Sequence, residues 1–143
     1  LTIAVLDLDH FKEVNDMHGH AAGDRVLVDV SEALRQRFRA MDIAARLGGD
    51  EFVVLMPEST AEGATRALED VREAIARTSA ERGYAVTASV GACVFGTVGD
   101  SLSEMLRQAD RVMYDAKSAG RDRVTVAVID ARALVSPATR PSA

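Results

Sequence analysis

The chain alternates short apolar runs of strand length with longer segments in which apolar residues recur every three or four positions. Short runs bounded by turn residues predict strands, and the longer spacing predicts amphipathic helices. The apolar runs lie at residues 2–6, 43–47, 52–56, 86–95 and 124–129, and the helical segments at residues 24–38, 61–75 and 102–116. The predicted order is strand, helix, hairpin, helix, strand, helix, strand, which implies an α/β (α+β) chain with one mixed sheet flanked by helices.

Turn and capping residues separate these segments. Residues 48–51, Gly-Gly-Asp-Glu, join two strand-length runs and predict the turn of an antiparallel hairpin. Ser59 with Glu62, and Ser101 with Glu104, have the spacing of a capping box, so we expect helices to begin after both serines.

Composition limits the class of protein. The 143 residues are 48% hydrophobic and 27% charged, which is typical of one globular domain. The net charge of −5 argues against nucleic acid as a partner, because nucleic acid requires a basic face. No apolar run reaches the roughly 20 residues that span a bilayer. We therefore expect a cytoplasmic domain over residues 1–130 with no membrane segment, followed by a disordered tail at 131–143.

Acidic residues lie at two predicted turns. Asp7 and Asp9 end the first apolar run, and alternation along a strand puts both on one face. Asp50 and Glu51 occupy the hairpin turn. If the hairpin lies beside the first strand, these carboxylates repel each other unless a divalent cation binds, and Mg²⁺ is held by one or two carboxylates. The alternative is that they are solvated acids at loop ends. The spacing does not fit a calcium-binding EF-hand.

The hairpin turn also carries a family signature. Residues 48–52 read Gly-Gly-Asp-Glu-Phe, which chance would produce about once in ten thousand chains of this size. This pentapeptide names the GGDEF family of diguanylate cyclase domains. Segments at residues 7–16, 18–24 and 117–121 resemble further motifs of that family in the same order. The chain therefore resembles a GGDEF domain over roughly residues 1–128.

This resemblance implies a fold and a reaction. The family's central sheet is mixed and mainly antiparallel, and it is similar to the ferredoxin-like palm of class III nucleotide cyclases and polymerases. The family reaction condenses two GTP molecules into cyclic di-GMP and releases pyrophosphate. Because each domain binds one GTP, the resemblance implies a transient C2 homodimer. It also implies an upstream sensory or regulatory domain in the full-length protein, since the chain starts at Leu1 without the family's preceding segment.

The resemblance also assigns site residues. Two Mg²⁺ or Mn²⁺ ions per active site would be held by Asp7, Asp50 and the backbone carbonyl of Leu8. Asp50 and Glu51 would be the catalytic pair, with Glu51 contacting metal or substrate and helping to deprotonate the 3′-hydroxyl. The substrate-binding residues would be Phe11, Lys12, Asn15, Asp24, Gly48, Gly49, Lys117 and Arg121.

Base and phosphate recognition divide among these residues. The guanine edge offers N1 and N2 hydrogens, which Asn15 and Asp24 would accept, and a site built on such bonds discriminates against adenine. The phosphates would be met by Lys12, Lys117 and Arg121. The alternatives are that Asn15 stabilises a turn and that Asp24 caps a helix.

A second motif precedes the hairpin. Arg39 and Asp42 match the family's Arg-x-x-Asp inhibitory motif, at the family's spacing of five residues before Gly48. The resemblance implies that cyclic di-GMP binds here as a product inhibitor. The alternative is an ordinary surface ion pair worth less than about 1 kcal/mol.

Three other functions compete with a diguanylate cyclase. The chain could be a noncatalytic receptor for GTP or cyclic di-GMP, a purely dimerising signalling module, or a cyclase for ATP. The complete signature at residues 48–52, with Lys117 and Arg121, favours an enzyme, and the two base-reading acceptors argue against ATP. One departure from the family pattern is Asp122, where Asn is frequent.

Overall fold

The chain folds into a five-stranded sheet with helices on both faces. The computed structural model describes residues 1–97 and 101–130. The strands are β1 (Thr2–Asp9), β2 (Ile43–Gly48), β3 (Glu51–Met56), β4 (Thr87–Phe95) and β5 (Arg123–Ile129), and the helices are α1 (Phe11–His18), α2 (His20–Arg37), α3 (Ala61–Glu81) and α4 (Leu102–Ser118).

The sheet has the strand order β2-β3-β1-β4-β5. Pairing is antiparallel throughout except between β4 and β5, which are parallel. The predicted mixed, mainly antiparallel sheet is therefore confirmed. None of the helices in the described ranges is long and apolar enough to cross a membrane. The predicted tail at residues 131–143 lies outside the described residues.

β1 is the central strand, and both of its faces are buried. Ala4, Leu6 and Leu8 pack in the core beneath α2 and α3. Ile3 and Val5 pack on the opposite face, beneath α4. A strand covered on both faces needs a continuous apolar run rather than an alternating one, which is why this strand is recognisable in the sequence. By the same alternation, the side chain of the next odd residue, Asp7, belongs to the α4 face.

The segment between β1 and β2 differs from the prediction. The apolar spacing predicts one helix over residues 24–38, whereas the structure has two helices that break at Gly19, where φ is 85°. Val14 is the buried residue of the eight-residue α1, so α1 has no repeating apolar pattern. β1 also extends to Asp9, beyond the predicted end of its apolar run.

Of the two predicted helix caps, one is confirmed and one is wrong. At α3 the N-cap is Thr60, whose Oγ1 accepts a hydrogen bond from Gly63 N at 3.1 Å. The predicted cap, Ser59, is wrong: its Oγ lies 2.6 Å from Thr2 Oγ1, so it joins β1 to the loop before α3. At α4 the predicted N-cap, Ser101, is confirmed, because its Oγ accepts from the backbone N–H three residues later at 3.2 Å.

β2 is an uncovered edge strand. All six of its residues are exposed, including the large apolar side chains of Ile43 and Leu47. The apolar run at residues 43–47 therefore predicts the strand correctly but carries no information about burial. What holds β2 in place is its ladder of backbone hydrogen bonds with β3.

Helix α4 rests directly on β4 at Gly91. A Cβ atom at this position would lie 1.9 Å from the backbone N of Met113 and 2.4 Å from its Cα. No side chain therefore fits between the helix and the strand at this point. The contact fixes the height of α4 above the sheet, and with it the position of Lys117, one helical turn further along.

We predict that Gly91→Ala lowers the free energy of unfolding by about 3 kcal/mol, because the added methyl group meets helix backbone that cannot rotate away. Chemical denaturation measures the change. Gly96→Ala is the matched control: a Cβ there meets no atom of the described residues within 4 Å, so we expect a change within about 0.5 kcal/mol. Equal stability of the two variants would contradict the close contact.

Candidate active site

The hairpin turn between β2 and β3 lies against the C-terminal end of β1. Asp7 is the partner of Glu51 in the pairing of β1 with β3. The backbone N–H of Leu8 donates to the carbonyl of Asp50 at 3.1 Å. Backbone hydrogen bonds thus bring the predicted acidic residues of the two turns together, as their positions in the sequence predict.

Two glycines give the hairpin turn its shape. Gly48 has φ of 147° and Gly49 has φ of 52°, values that L side chains rarely adopt. Within residues 1–97 and 101–130, a Cβ at either position would meet nothing within 4 Å, so the requirement is conformational rather than steric. The pairing of β2 with β3 shifts register between Arg46 and Gly48, and Arg46 Nε donates to the carbonyl of Gly49 at 3.0 Å. This bulged turn directs Asp50 and Glu51 toward β1.

Lys117 reaches the same place from α4. Its Nζ lies 2.7 Å from Asp7 Oδ1, and both side chains are largely shielded from solvent. Asp7 Oδ1 is buried and receives no hydrogen bond of good geometry within residues 1–97 and 101–130. The contact with Lys117 is thus an ion pair by distance, and this carboxylate oxygen retains the capacity to accept a ligand.

The pKa values of Asp7 and Glu51 are both raised. Burial is the main cause of the raised pKa of Asp7, opposed by Lys117 and reinforced by repulsion from Asp50. Burial is also the main cause of the raised pKa of Glu51, followed by repulsion from Asp110 and Asp7. Desolvated carboxylates of one sign favour either a proton or a cation nearby.

The residues present fit a hard divalent cation. Asp7 offers an oxygen without a good hydrogen-bond donor, Asp50 lies beside it, and the Leu8 carbonyl is in the same stretch of backbone. Within the described part of the chain, no three His, Cys, Asp or Glu side chains are arranged as a ready ligand cluster. Two carboxylates are nevertheless sufficient for Mg²⁺, which takes its remaining ligands from water and phosphate.

Asp9 has a different role from Asp7, although both lie on one face of β1. It is only 2% exposed. Its carboxylate accepts hydrogen bonds from Thr87 Oγ1 at 2.7 Å, from Ser89 Oγ at 2.7 Å and from the backbone N–H of Asp122 at 3.1 Å. These bonds use both of its oxygens, so Asp9 connects β1 and β4 to the turn after α4.

That turn has an unusual backbone. Gly120, Arg121 and Asp122 have φ values of 124°, 62° and 46° in succession. A left-handed conformation costs a non-glycine residue about 1–3 kcal/mol, so neighbouring contacts must hold it. The backbone N–H of Arg121 donates to the carbonyl of Ala116 at 3.1 Å. The Arg121 side chain is exposed and has no hydrogen-bond or ion-pair partner within the described residues.

The predicted guanine-reading residues, Asn15 and Asp24, lie on either side of the junction between α1 and α2. Asn15 Oδ1 occupies the space beside Gly23, at 1.8 Å from where a Cβ on that residue would lie. Asp24 follows Gly23 and is exposed. The capping alternative for Asp24 is wrong, because α2 begins at His20 and Asp24 lies inside it. Asn15 also accepts from Gly19 N through its backbone carbonyl, so it contributes to the turn as well.

The remaining predicted substrate-binding residues open α1. Phe11 is its first residue and is partly buried against the core beneath α2 and α3. Lys12 is exposed. Because α1 follows the end of β1 after a single residue, His10, both side chains start close to the carboxylates of the hairpin turn.

The Arg-x-x-Asp motif forms a compact pair. Arg39 contacts both carboxylate oxygens of Asp42, through Nη2 at 3.0 Å and Nε at 3.3 Å, and its Nη2 also donates to the carbonyl of Pro57 at 3.0 Å. This carboxylate raises the pKa of Arg39. The pair borders a groove of about 460 Å³ between α2 and β2, which Arg35 and Arg46 also line. The groove therefore presents three guanidinium groups.

Sequence reasoning missed three residues near the site. Asp110 raises the pKa of Glu51 from α4, seven residues before Lys117. A seven-residue spacing puts two helical residues on one face, so this signal was available. Asp122 and its ion-pair partner Arg72, at 2.7 Å, are 50 positions apart, and no local pattern predicts their contact.

Comparison with known proteins identifies the family. The family profile described as "Diguanylate cyclase, GGDEF domain" matches residues 1–123. The diguanylate cyclase DgcP of Pseudomonas aeruginosa is 43% identical over 129 residues, covering 89% of this chain and 19% of DgcP. Diguanylate cyclase A of Treponema denticola is 36% identical, covering 88% of this chain and 35% of the relative. The chain thus spans about a fifth to a third of the length of these relatives.

Solved structures give the same result. The diguanylate cyclase SiaD of Pseudomonas aeruginosa, in complex with its activator SiaC, is similar with a TM-score of 0.81 and 39% identity, covering 88% of this chain and 49% of SiaD. The GGDEF domain of DgcB from Caulobacter crescentus, in complex with c-di-GMP, has a TM-score of 0.77 and 33% identity, covering 87% and 76% of the two chains. The chain belongs to the GGDEF family of diguanylate cyclase domains.

Proposed function

We propose that this domain is a diguanylate cyclase that condenses two GTP molecules into cyclic di-GMP and releases pyrophosphate. The observation that carries the proposal is the hairpin turn, which brings Asp50 and Glu51 against Asp7, with Lys117 facing them from α4. Relatives named diguanylate cyclases, and a neighbour solved with c-di-GMP, support it.

Asp7, Asp50 and the Leu8 carbonyl would hold Mg²⁺ or Mn²⁺, two ions per active site by the family pattern. When bound, the metal would polarise the α-phosphate and neutralise the charge of the leaving pyrophosphate. Glu51 is suited to accept the proton of the attacking 3′-hydroxyl, because burial and acidic neighbours raise its pKa toward the operating pH.

The chain's other polar groups bind and orient the substrate. Lys12, Lys117 and Arg121 would pair with the triphosphate. The Asn15 carboxamide and the Asp24 carboxylate would accept the N1 and N2 hydrogens of guanine. The backbone at Phe11, which opens α1, and at Gly48 and Gly49 in the hairpin turn would contact the nucleotide.

The reaction requires two copies of the domain. The 3′-hydroxyl of each GTP attacks the α-phosphorus of the other, so two domains must face each other with one GTP bound to each. We propose a transient C2 homodimer, which opens to release the product. We expect the domain to work in the cytoplasm, where GTP is available, under the control of a sensory or regulatory domain elsewhere in the full-length protein.

The groove beside Arg39 and Asp42 is the proposed inhibitory site. Cyclic di-GMP carries two phosphates, and three arginines line the groove: Arg46, Arg35 paired with Glu32, and Arg39 paired with Asp42. Phosphate would compete with these carboxylates for the guanidinium groups. Asp42 would accept hydrogen bonds from guanine. The same groove favours the second candidate function, a noncatalytic cyclic di-GMP receptor, which would bind the dinucleotide but form none from GTP.

We predict that Asp50→Ala or Glu51→Ala lowers the rate of cyclic di-GMP synthesis at least about 100-fold, the scale for losing a charged group at a reacting centre. The measurement is incubation with GTP and Mg²⁺, followed by chromatographic separation of the nucleotides. Asp70→Ala is the control, because Asp70 is an exposed acid on α3, the helix on the opposite face of the sheet. Near-parental turnover in either active-site variant would rule out this site.

We predict that Mg²⁺ raises the melting temperature of the protein more at pH 8 than at pH 5. The folded-state pKa values of Asp7 and Glu51 lie above their ordinary values of 3.8 and 4.5. Their protonated forms therefore stabilise the fold at low pH. This contribution is lost as pH rises through the raised values, above which both carboxyls are ionised in the folded protein as well. A cation binds the ionised forms and restores that stability.

At ten times its Kd, a single bound ion would add about 1.4 kcal/mol. Asp7→Asn should abolish the Mg²⁺-dependent shift at pH 8, whereas Asp70→Asn should leave it unchanged. Scanning calorimetry in the absence of nucleotide makes this test independent of turnover. An equal Mg²⁺ effect at both pH values would contradict cation binding at these carboxylates.

We predict that Arg39→Ala raises the concentration of cyclic di-GMP needed for half-inhibition about tenfold or more, because the variant loses a charge-assisted contact with phosphate. The initial rate without product should stay near that of the parent, since Arg39 lies away from the hairpin turn. An inhibition curve that superimposes on the parent's would refute the inhibitory site.

A further inference from the structure

We propose that Arg72 of α3 is a positioning residue for the triphosphate. It acts together with Asp9 by holding the left-handed turn at residues 120–122 that presents Arg121. This inference rests on the proposed function, in which Arg121 binds phosphate, and it adds a residue on the opposite face of the sheet that touches no reacting atom.

The turn needs external support. Its residues have φ values of 124°, 62° and 46°, and the second and third are Arg121 and Asp122 rather than glycine. Left-handed residues in succession persist only where the surrounding structure determines them, and such positions concentrate at functional sites. A turn that relaxed to an ordinary conformation would redirect the Arg121 side chain.

Residues of two elements that are distant in sequence contact Asp122. From β1, Asp9 accepts the backbone N–H of Asp122 at 3.1 Å, and bonds to Thr87 and Ser89 hold the Asp9 carboxylate in its buried place. From α3, Arg72 Nη1 contacts Asp122 Oδ1 at 2.7 Å. One contact therefore fixes the backbone of the turn and the other fixes its side chain.

Arg72 is itself well placed for this task. Its side chain is 18% exposed, and its Nε donates to Glu69 Oε2 at 2.7 Å, while Glu73 lies 3.7 Å away. Partial burial and a second acidic partner limit the orientations open to the guanidinium. Its pair with Asp122, which is 45% exposed, is more shielded from solvent than the pair of Arg66 with Glu62, whose side chains are 73% and 83% exposed.

The ion pair explains why Asp122 stands where Asn is frequent in the family. The frequent Asn could accept one hydrogen bond from Arg72, but it carries no charge to form an ion pair. With Asp at this position, α3 is joined by an ion pair to the turn beside Lys117. The turn is thus supported from β1 by Asp9 and from α3 by Arg72, and Arg121 keeps its own side chain without a partner in the described part of the chain.

The test measures binding of 3′-deoxy-GTP with Mg²⁺ by titration calorimetry, because this analogue has no 3′-hydroxyl and cannot react. We expect Arg72→Gln to weaken binding about 3- to 10-fold, the scale for coupling through a packed network. Arg72→Lys, which keeps the charge, should recover part of the loss. Arg66→Gln is the matched control on the same helix, and we expect it to bind as the parent does.

A double-mutant cycle separates positioning from general stability. Arg72→Gln combined with Asp122→Asn should be no weaker than the weaker single variant, because both changes break one contact. In an Arg121→Gln background, Arg72→Gln should cause no further loss. Amide hydrogen exchange at residues 121 and 122 should become faster in Arg72→Gln without nucleotide.

Four results would overturn the inference: unchanged affinity in Arg72→Gln, an equal loss in Arg66→Gln, an undiminished effect of Arg72→Gln in the Arg121→Gln background, or unchanged hydrogen exchange at the turn. Two other outcomes would contradict the proposed phosphate site itself. One is failure of the parent protein to bind 3′-deoxy-GTP, and the other is an unchanged affinity in Arg121→Gln.

Discussion

The candidate site depends on the backbone pairing of β1 with β3. This pairing sets Asp7 opposite Glu51, and the bond from Leu8 N–H to the Asp50 carbonyl continues it into the hairpin turn. Like-charged side chains would not assemble by themselves, so their proximity is imposed by the sheet. The apolar core on both faces of β1 supplies the free energy that offsets this repulsion, and a bound cation would relieve it.

Local patterns predict the elements in the described part of the chain except α1, and they identify one of the two predicted caps correctly. The apolar run of β1 is readable because the strand is buried on both faces, and the Ser101 cap depends on residues three apart. Helix α1 is not readable, since an eight-residue helix with one buried residue shows no period. Ser59 misleads because its hydroxyl bonds Thr2, 57 positions away, and only the sheet brings the two together.

The candidate site also has a part that local sequence predicts and a part that depends on tertiary contacts. The signature residues at 48–52 are recognisable as a motif, and the structure places them beside Asp7 as expected. The sequence does not predict the different roles of Asp7 and Asp9, because these roles depend on whether the neighbouring strand offers hydroxyl donors. The contact of Arg72 with Asp122 is likewise a product of tertiary packing, and a residue's chemical type says nothing about a partner 50 positions away.

The missing side chain at Gly91 has a mechanical consequence. A helix seated with its backbone on a strand cannot slide or roll without being lifted, because there is no layer of side chains whose rotamers could absorb the movement. The surface formed by α4 and the end of β1 therefore keeps one shape. If two copies of this surface must meet for the reaction, its rate is controlled by how the two domains are brought together, because neither surface changes.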